Sequence, residues 1–384
     1  MIHEDTLPEA HDRCRVSPAA ARSVRGRQAG GKRRLRGFLR HNAAARTCAL
    51  ISLAGLLSAS LTAQSVAKYA GEFLAIGVGG RAMGMGGAYV ALATDATSGY
   101  WNPAAAAALE HPEIFLMHDE RFAGLVNYDV AAATIPYGSN ASLGLTILRL
   151  GVDGIQDTRN ALIDLNGNGQ FDPGDRIDHS KITYFSSADW AAFLTYAQRG
   201  SDDLSYGLNL KLIRRGLGDA TATGIGFDVG VRYRATERVY LGANLQDATT
   251  SLIAWSTGRN ELISPTLKVG STASFDLFGG VLTPALDIDV RFENRRYAST
   301  AHLGPVSFDP RLGVEFDYRR IVAVRGGMND LRQLSIGAGL HLRKLDLDYS
   351  FTGFGNNNDL GSTHRISLRI LLQEERFARR TMDE

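Results

Sequence analysis

Cysteine is almost missing from this chain. Cys14 and Cys48 both fall in the first 65 residues, and residues 66–384 contain none. That excludes a disulfide framework or thiolate metal site in the body of the protein, and it suits a compartment where stray thiols would cross-link. Also absent is any apolar run of the roughly 20 residues that a spanning helix needs. No convincing amphipathic helix follows residue 110, and no Gly-x-Ser-x-Gly elbow occurs anywhere. His111, His118, His179, His302, His341 and His364 are scattered without metal-ligand spacing. The carboxylate pairs Asp287/Asp289 and Asp346/Asp348 share a strand face, which fits a charged lining better than acid–base work. No enzyme is expected. A net charge of one sign is lacking too, with 42 Lys+Arg against 40 Asp+Glu. Residues 1–65 hold 11 basic and 4 acidic side chains, which leaves 31 and 36 for the rest. The positive charge therefore sits at the N-terminus, and no nucleic-acid partner is expected.

What the N-terminus does contain has the order of a secretory signal. The basic run Lys32-Arg33-Arg34-Leu35-Arg36 precedes an uncharged stretch from Ala49 to Leu61, and small residues follow to Ser65. Cleavage after Ser65 or after Ala63 suits the small-residue rule. A transmembrane anchor is the competing reading, but the apolar stretch is short and diluted by serine. Residues 1–65 are read as a leader with a cleaved signal peptide.

From residue 111 onward, apolar residues recur at every second position. Leu345, Leu347, Tyr349 and Phe351 alternate with Asp346, Asp348 and Ser350. Leu286, Ile288 and Val290 alternate with Asp287, Asp289 and Arg291, and Ile225, Phe227, Val229 and Val231 with Gly226, Asp228, Gly230 and Arg232. Period two places the two sets on opposite faces of a strand. Several segments keep this up for about nine to eleven residues, the length of a tilted membrane-spanning strand. Candidate strands lie near 112–120, 124–137, 141–153, 182–198, 203–215, 223–234, 238–246, 264–276, 280–293, 308–318, 320–328, 332–343, 345–353 and 363–372. Gly/Asn/Asp clusters separate them, Gly355 to Asp359 being the clearest. Unpaired backbone groups are not tolerated in lipid, so the strands must close on themselves. The expected fold is all-β: a closed antiparallel transmembrane barrel of about 14 strands over residues 111–372. Its apolar face meets outer-membrane lipid. Its charged face lines a narrow interior, either ion-paired or hydrated. The expected location is the bacterial outer membrane, and residues 373–384 form a charged tail.

Residues 66–110 do not alternate and read as an N-terminal plug-like segment. Gly77-Val78-Gly79-Gly80-Arg81-Ala82 formally fits a dinucleotide fingerprint, but no βαβ unit surrounds it. Three blocks stand out: Gly80-Arg81-Ala82-Met83-Gly84-Met85-Gly86-Gly87-Ala88, then Ala93-Thr94-Asp95-Ala96, then Tyr100-Trp101-Asn102-Pro103-Ala104. In order and spacing they resemble the start of the mature chain in outer-membrane long-chain fatty-acid transporters, and more closely the PorV/PorQ family of bacteria with type IX secretion. The alanine run from Ala105 and the tail after Leu372 depart from that pattern. The resemblance implies a 14-strand barrel with its N-terminal segment in or across the lumen. Gly80, Arg81, Gly84, Gly86, Gly87, Asp95, Trp101, Asn102 and Pro103 would build the plug. It also implies a surface protein that binds or shuttles type IX secretion substrates, with secreted proteins and other type IX components as partners. A transport channel for hydrophobic small molecules is the alternative.

One loop carries a separate pattern. Residues 164–175 match the calcium loop of an EF-hand, with Asp164, Asn166 and Asn168 at the first three ligand positions and Gly169 at the sharp turn. Gln170 would offer its carbonyl, Asp172 would follow, and Asp175 would close the loop with a shorter reach than the usual Glu. An ordinary Asn/Gly/Asp turn is the competing reading. Bound Ca²⁺ would stiffen the insertion at 154–181 on the cell exterior.

Overall fold

A computed structural model describes residues 71–122, 124–292, 299–354, 362–374 and 377–379. The leader with its signal peptide, the Gly355–Asp359 turn and the end of the charged tail lie outside the described residues.

Fourteen strands form a closed antiparallel ring. In chain order they are β1 Glu113–Arg121, β2 Val126–Tyr137, β3 Ala141–Asp157, β4 Thr183–Arg199, β5 Leu204–Leu217, β6 Ala220–Arg234, β7 Val239–Gln246, β8 Thr266–Ala273, β9 Gly280–Arg291, β10 Val306–Tyr318, β11 Val322–Met328, β12 Leu334–Leu342, β13 Leu345–Phe354 and β14 Thr363–Leu371. Each pairs with its sequence neighbours, and β14 closes the ring on β1 through the register Glu113↔Leu371 to Glu120↔His364. All fourteen correspond to the candidate strands read from the alternation. Lengths run from 7 residues in β11 to 17 in β3 and β4.

Short strand pairs are appended outside the ring. Leu162–Ile163 pairs with Arg176–Ile177 inside the long β3–β4 connection. Ser251–Trp255 and Asn260–Ile263 form a hairpin between β7 and β8, and its first strand pairs with β6. The sequence pattern did not reveal these hairpins, because each strand is too short to show a period.

The alternation sorts the faces as expected. On β13, Leu347 and Tyr349 point outward while Asp346, Asp348 and Ser350 are buried. The same holds around the ring, with Leu208, Leu212, Phe227, Val229, Leu312, Val314, Val324 and Ile336 exposed on the outer wall. A closed sheet with an apolar exterior has no unpaired edge and suits only lipid. The protein is an outer-membrane barrel. Long connections after β3, β7 and β9 lie at one end, with short connections such as 138–140, 200–203 and 343–344 at the other. In bacterial barrels the long loops face the exterior.

Candidate functional site

The lumen is filled by the chain's own N-terminal segment. Four short turns shape it: Glu72–Ala75, Gly80–Gly84, Ser98–Trp101 and Pro103–Ala108. The Asn102 side chain caps the last of them by accepting from Ala104 N at 3.1 Å, and Pro103 occupies its first turn, where a missing N–H costs nothing. The Asn102 amide also donates to the carbonyls of Val90 and Val231, tying plug to wall. Trp101 is buried, and its indole N–H donates to Val78 O at 2.9 Å. Asp95 accepts from the Tyr89 hydroxyl at 2.6 Å and from Thr97 N at 2.8 Å. Tyr100 clamps the segment's start: its hydroxyl donates to Leu74 O at 2.7 Å and accepts from Gly77 N at 2.9 Å.

Glycine appears where plug and wall backbones touch. A Cβ on Gly313 of β10 would sit 2.5 Å from Met85 O, one on Gly207 of β5 would sit 2.5 Å from Ala104 N, and one on Gly242 of β7 would sit 2.7 Å from Val90 O. Gly327 and Gly337 complete the belt against Met85 and Gly84. The plug glycines answer from the other side. Gly80 meets the Asp348 carbonyl, Gly86 (φ +66°) meets Met328, and Gly87 (φ +78°) meets the Arg311 guanidinium. This belt escaped the sequence reading, although its signal was present as single glycines at inward positions of successive strands.

The wall around the plug has two chemistries. From β8 to β14 it is ionic. Asp289 receives Arg311, Lys268 and Arg291 at 3.1, 3.3 and 3.4 Å. Arg325 bridges Glu315 at 2.6 Å and Asp348 at 2.7 Å, and Arg81 of the plug forks onto the same Glu315 at 2.7 and 2.9 Å. Both Asp287 contacts come from the plug backbone, Tyr89 N at 2.6 Å and Val90 N at 2.8 Å. The interior charges are thus largely paired with one another or with the plug. Burying them together avoids leaving any one alone in a low dielectric.

From β1 to β6 the inner wall mixes an apolar cluster with a buried ionic group in which Lys211 of β5 meets Asp228 of β6 at 2.8 Å and Asp247 at 2.5 Å. Phe115, Met117, Val130, Leu148, Phe193 and Ile213 form one buried cluster, into which Phe73 of the plug inserts. Leu74 and Ile76 pack against it, as do Trp255 and Ile263 of the appended hairpin. Tyr100 stacks on Phe193, with rings 6.3 Å apart and 2° from parallel. Phe73, Leu74 and Ile76 therefore occupy an apolar chamber in this half of the lumen, bordered by the Arg215 guanidinium 5.9 Å over the Phe73 ring. The other half is a salt lattice that holds the rest of the plug. The polar groups here bind and position; no arrangement described above activates a nucleophile.

Residues 47–143 match a profile described as an uncharacterised protein family, UPF0164. No curated protein matches the chain. Among solved structures, the CymD monoaromatic hydrocarbon channel aligns over 78% of this chain and 98% of its own, at 14% identity and a TM-score of 0.50. The Ralstonia pickettii toluene transporter TbuX aligns over 77% of this chain and 97% of its own, at 14% identity and a TM-score of 0.49. For the Pseudomonas putida toluene transporter TodX the coverage is the same, at 12% identity and a TM-score of 0.47. At such identities the likeness is one of fold.

These findings overturn the PorV/PorQ resemblance. The barrel that aligns with this fold at a TM-score of 0.50 is a monoaromatic hydrocarbon channel, and the profile covering all three N-terminal blocks is described only as an uncharacterised family. The secretion-shuttle reading falls with it, along with secreted proteins and type IX components as partners. The physical reason is that Gly80, Gly84, Gly86, Gly87, Asp95, Trp101, Asn102 and Pro103 answer to packing inside a lumen. Their spacing reports a plugged barrel and carries no information about what the barrel meets.

The 164–175 loop lies apart from the lumen, in the β3–β4 connection. Asp164 accepts from the backbone N–H groups of Asn166, Gly167 and Gly169 at 3.1, 2.6 and 2.6 Å. Asn166 and Asn168 both donate side-chain amides to Asp172, and Asn168 Oδ1 accepts from Gln170 N. Asp175 accepts from Leu165 N and Asp172 N. The hydrogen bond from Gly169 N–H, followed by those from its neighbours, holds the Asp164 carboxyl below the usual range, and the two Asn amides do the same for Asp172. Among the described residues no group of three or more His, Cys, Asp or Glu side chains converges as a metal site.

Proposed function

We propose that the protein admits small hydrophobic molecules through the outer membrane by way of its apolar chamber. The observation that carries this is the chamber between β1 and β6, roofed by the 251–263 hairpin and filled by Phe73, Leu74 and Ile76. A ligand of similar size and polarity can take the place of those side chains, each worth about 1.5–3 kcal/mol when buried. Exchange of one apolar occupant for another leaves the salt lattice on the opposite wall intact. Only the first turn of the plug has to move, and its tether is the Tyr100 hydroxyl. The named activity of the barrel that aligns at a TM-score of 0.50, a monoaromatic hydrocarbon channel, supports the same class of cargo. The test is uptake of radiolabelled toluene by cells expressing the barrel. Uptake above that of empty cells, competed by other small apolar molecules, is expected. Background-level uptake, with the barrel present and folded, refutes the reading.

We further propose that residues 164–175 take up Ca²⁺. Asp164, Asn166, Asn168, Asp172 and Asp175 with the Gln170 carbonyl supply only oxygen ligands, as a hard cation requires. Their hydrogen bonds to one another would have to yield to the ion. Calorimetric titration with CaCl₂, against an Asp164→Ala control, tests it.

A further inference from the structure

On the outer wall, one row of side chains breaks the apolar band. The register aligns His118 of β1, Asp129 of β2, Arg149 of β3, Trp190 of β4 and Arg214 of β5 side by side. All five point away from the lumen, and the row lies toward the strand ends that carry the long loops. Asp129 holds His118 at 2.7 Å. Arg149 reaches Asp129 and Asp153 only at 3.5 Å and lies 5.8 Å over the Trp190 ring. A guanidinium has five donors, so Arg149 keeps most of them available. Arg214 is exposed and makes no ion pair among the described residues.

Directly beneath this row the wall is hollow. Below Asp129, β2 presents Ala131 outward between Leu116 of β1 and Ile147 of β3, and then Ala133 between Ile114 and Leu145. The small Ala131 side chain leaves a groove of about 430 Å³ running from Ile366 to Trp190. Its floor is apolar and its upper end is the His118–Asp129–Arg149 cluster. An amphiphile with an acyl chain and an anionic head has this same polarity, in this same direction. Trp190 at the boundary is the residue type that sits at headgroup level.

We propose that this groove binds a phosphorylated lipid of the outer leaflet, with one acyl chain lying on Ala131 and the phosphate received by Arg149 and Arg214. Charge complementarity selects the head, since arginine matches phosphate geometry and the anionic lipid gains from each nearby cation. The alanine floor selects an acyl chain, because a bulkier occupant meets the flanking Leu116 and Ile147. The bound lipid would seal the wall where β2 alone offers too little side chain to meet the membrane. This inference is independent of what passes through the lumen.

The test uses the full chain purified from outer membranes in mild detergent, with lipid adducts read by native mass spectrometry. Titration with phosphatidylglycerol is expected to give a retained adduct, and phosphatidylcholine is expected to give a much weaker one. Arg214→Ala, which disturbs no ion pair, and Arg149→Ala are each expected to weaken the phosphatidylglycerol adduct roughly fivefold. Ala131→Leu fills the floor and should remove the adduct while leaving both arginines in place. A gel-mobility shift on heating verifies that each variant is still a folded barrel. Equal retention of both lipids, or an adduct that survives Ala131→Leu, overturns the proposal. So does displacement of the lipid by inorganic phosphate alone or by toluene.

Discussion

Replacing Tyr100 by Phe isolates the tether of the plug's first turn. The ring, its stacking on Phe193 and its edge-on contact with Trp101 remain, and only the hydroxyl is lost. That hydroxyl satisfies Leu74 O and Gly77 N, both inside the lumen. With it gone, a buried donor and a partly buried acceptor are left without this partner, at about 1–3 kcal/mol for the fully buried one. Opening the segment lets water satisfy both groups, so the closed form alone bears the penalty. Taking about 2 kcal/mol as the net shift, the open population rises roughly thirtyfold. The chain offers a clean way to read this, since residues 66–384 contain no cysteine. A single Ile76→Cys reporter, with and without Tyr100→Phe, is exposed to a membrane-impermeant maleimide on intact cells. Where opening and closing are fast, the labelling rate follows the open population, so it should rise by that factor and toluene uptake should rise with it. Unchanged labelling refutes the tether. Faster labelling with unchanged uptake refutes the role given to residues 71–76 as occupants of the cargo chamber.

Other perturbations reach the rest of the architecture. Gly313→Ala forces a Cβ to within 2.5 Å of Met85 O, whereas nothing lies within 4 Å of a Cβ at Gly326. The first is expected to cost about 1–3 kcal/mol and lower the temperature at which the barrel loses its folded gel mobility, and the second should leave it unchanged. Arg325→Met strands Asp348 and weakens the hold on Glu315, at about 3–5 kcal/mol by analogy with other broken buried pairs; Arg325→Met with Asp348→Leu should regain part of that in the same assay. In the 164–175 loop, Asp164 and Asp172 are held below their ordinary values, so they favour the ordered loop above the unfolded aspartate value of about 3.9, and that contribution fades as the pH falls through their lowered values. Protease nicking between Asp164 and Asp175, by an acid-stable protease, should therefore accelerate on acidification; nicking that is independent of pH contradicts the hydrogen-bonded loop.

The strands were legible because one face of each meets lipid and the other meets charge. Where that contrast is sharp, as in β9, β10, β13 and β14, the boundaries came out within a few residues. The apolar chamber was not read, yet it left a trace. In β1, Ile114, Phe115, Leu116 and Met117 are apolar at both parities, and so are Leu143 to Leu150 of β3 apart from Gly144, Thr146 and Arg149. A strand buried in grease on both faces loses its alternation, so the weakest period in the barrel marked the chamber. The plug motif misled in the opposite way. Its residues are constrained by close packing, and close packing does not encode a partner. The outer groove was hidden for a simpler reason. Ala131 looks ordinary alone, and only the register sets it between Leu116 and Ile147.

The ring closes through the first and last strands, and Arg365 is joined to Asp119 at 2.7 Å across 246 residues of chain. Until β14 arrives, the nascent sheet has two raw edges, each able to template a foreign strand. The plug precedes β1 in the chain, so it is made before any wall exists to receive it. The most economical order of assembly wraps the sheet around the plug, with the glycine belt and the salt lattice laid down strand by strand. Threading the plug through a finished pore is not needed. Closure is then a late and highly non-local event, and such contacts make folding slow. A chain cut short before Thr363 should keep its plug contacts and yet remain open along one seam.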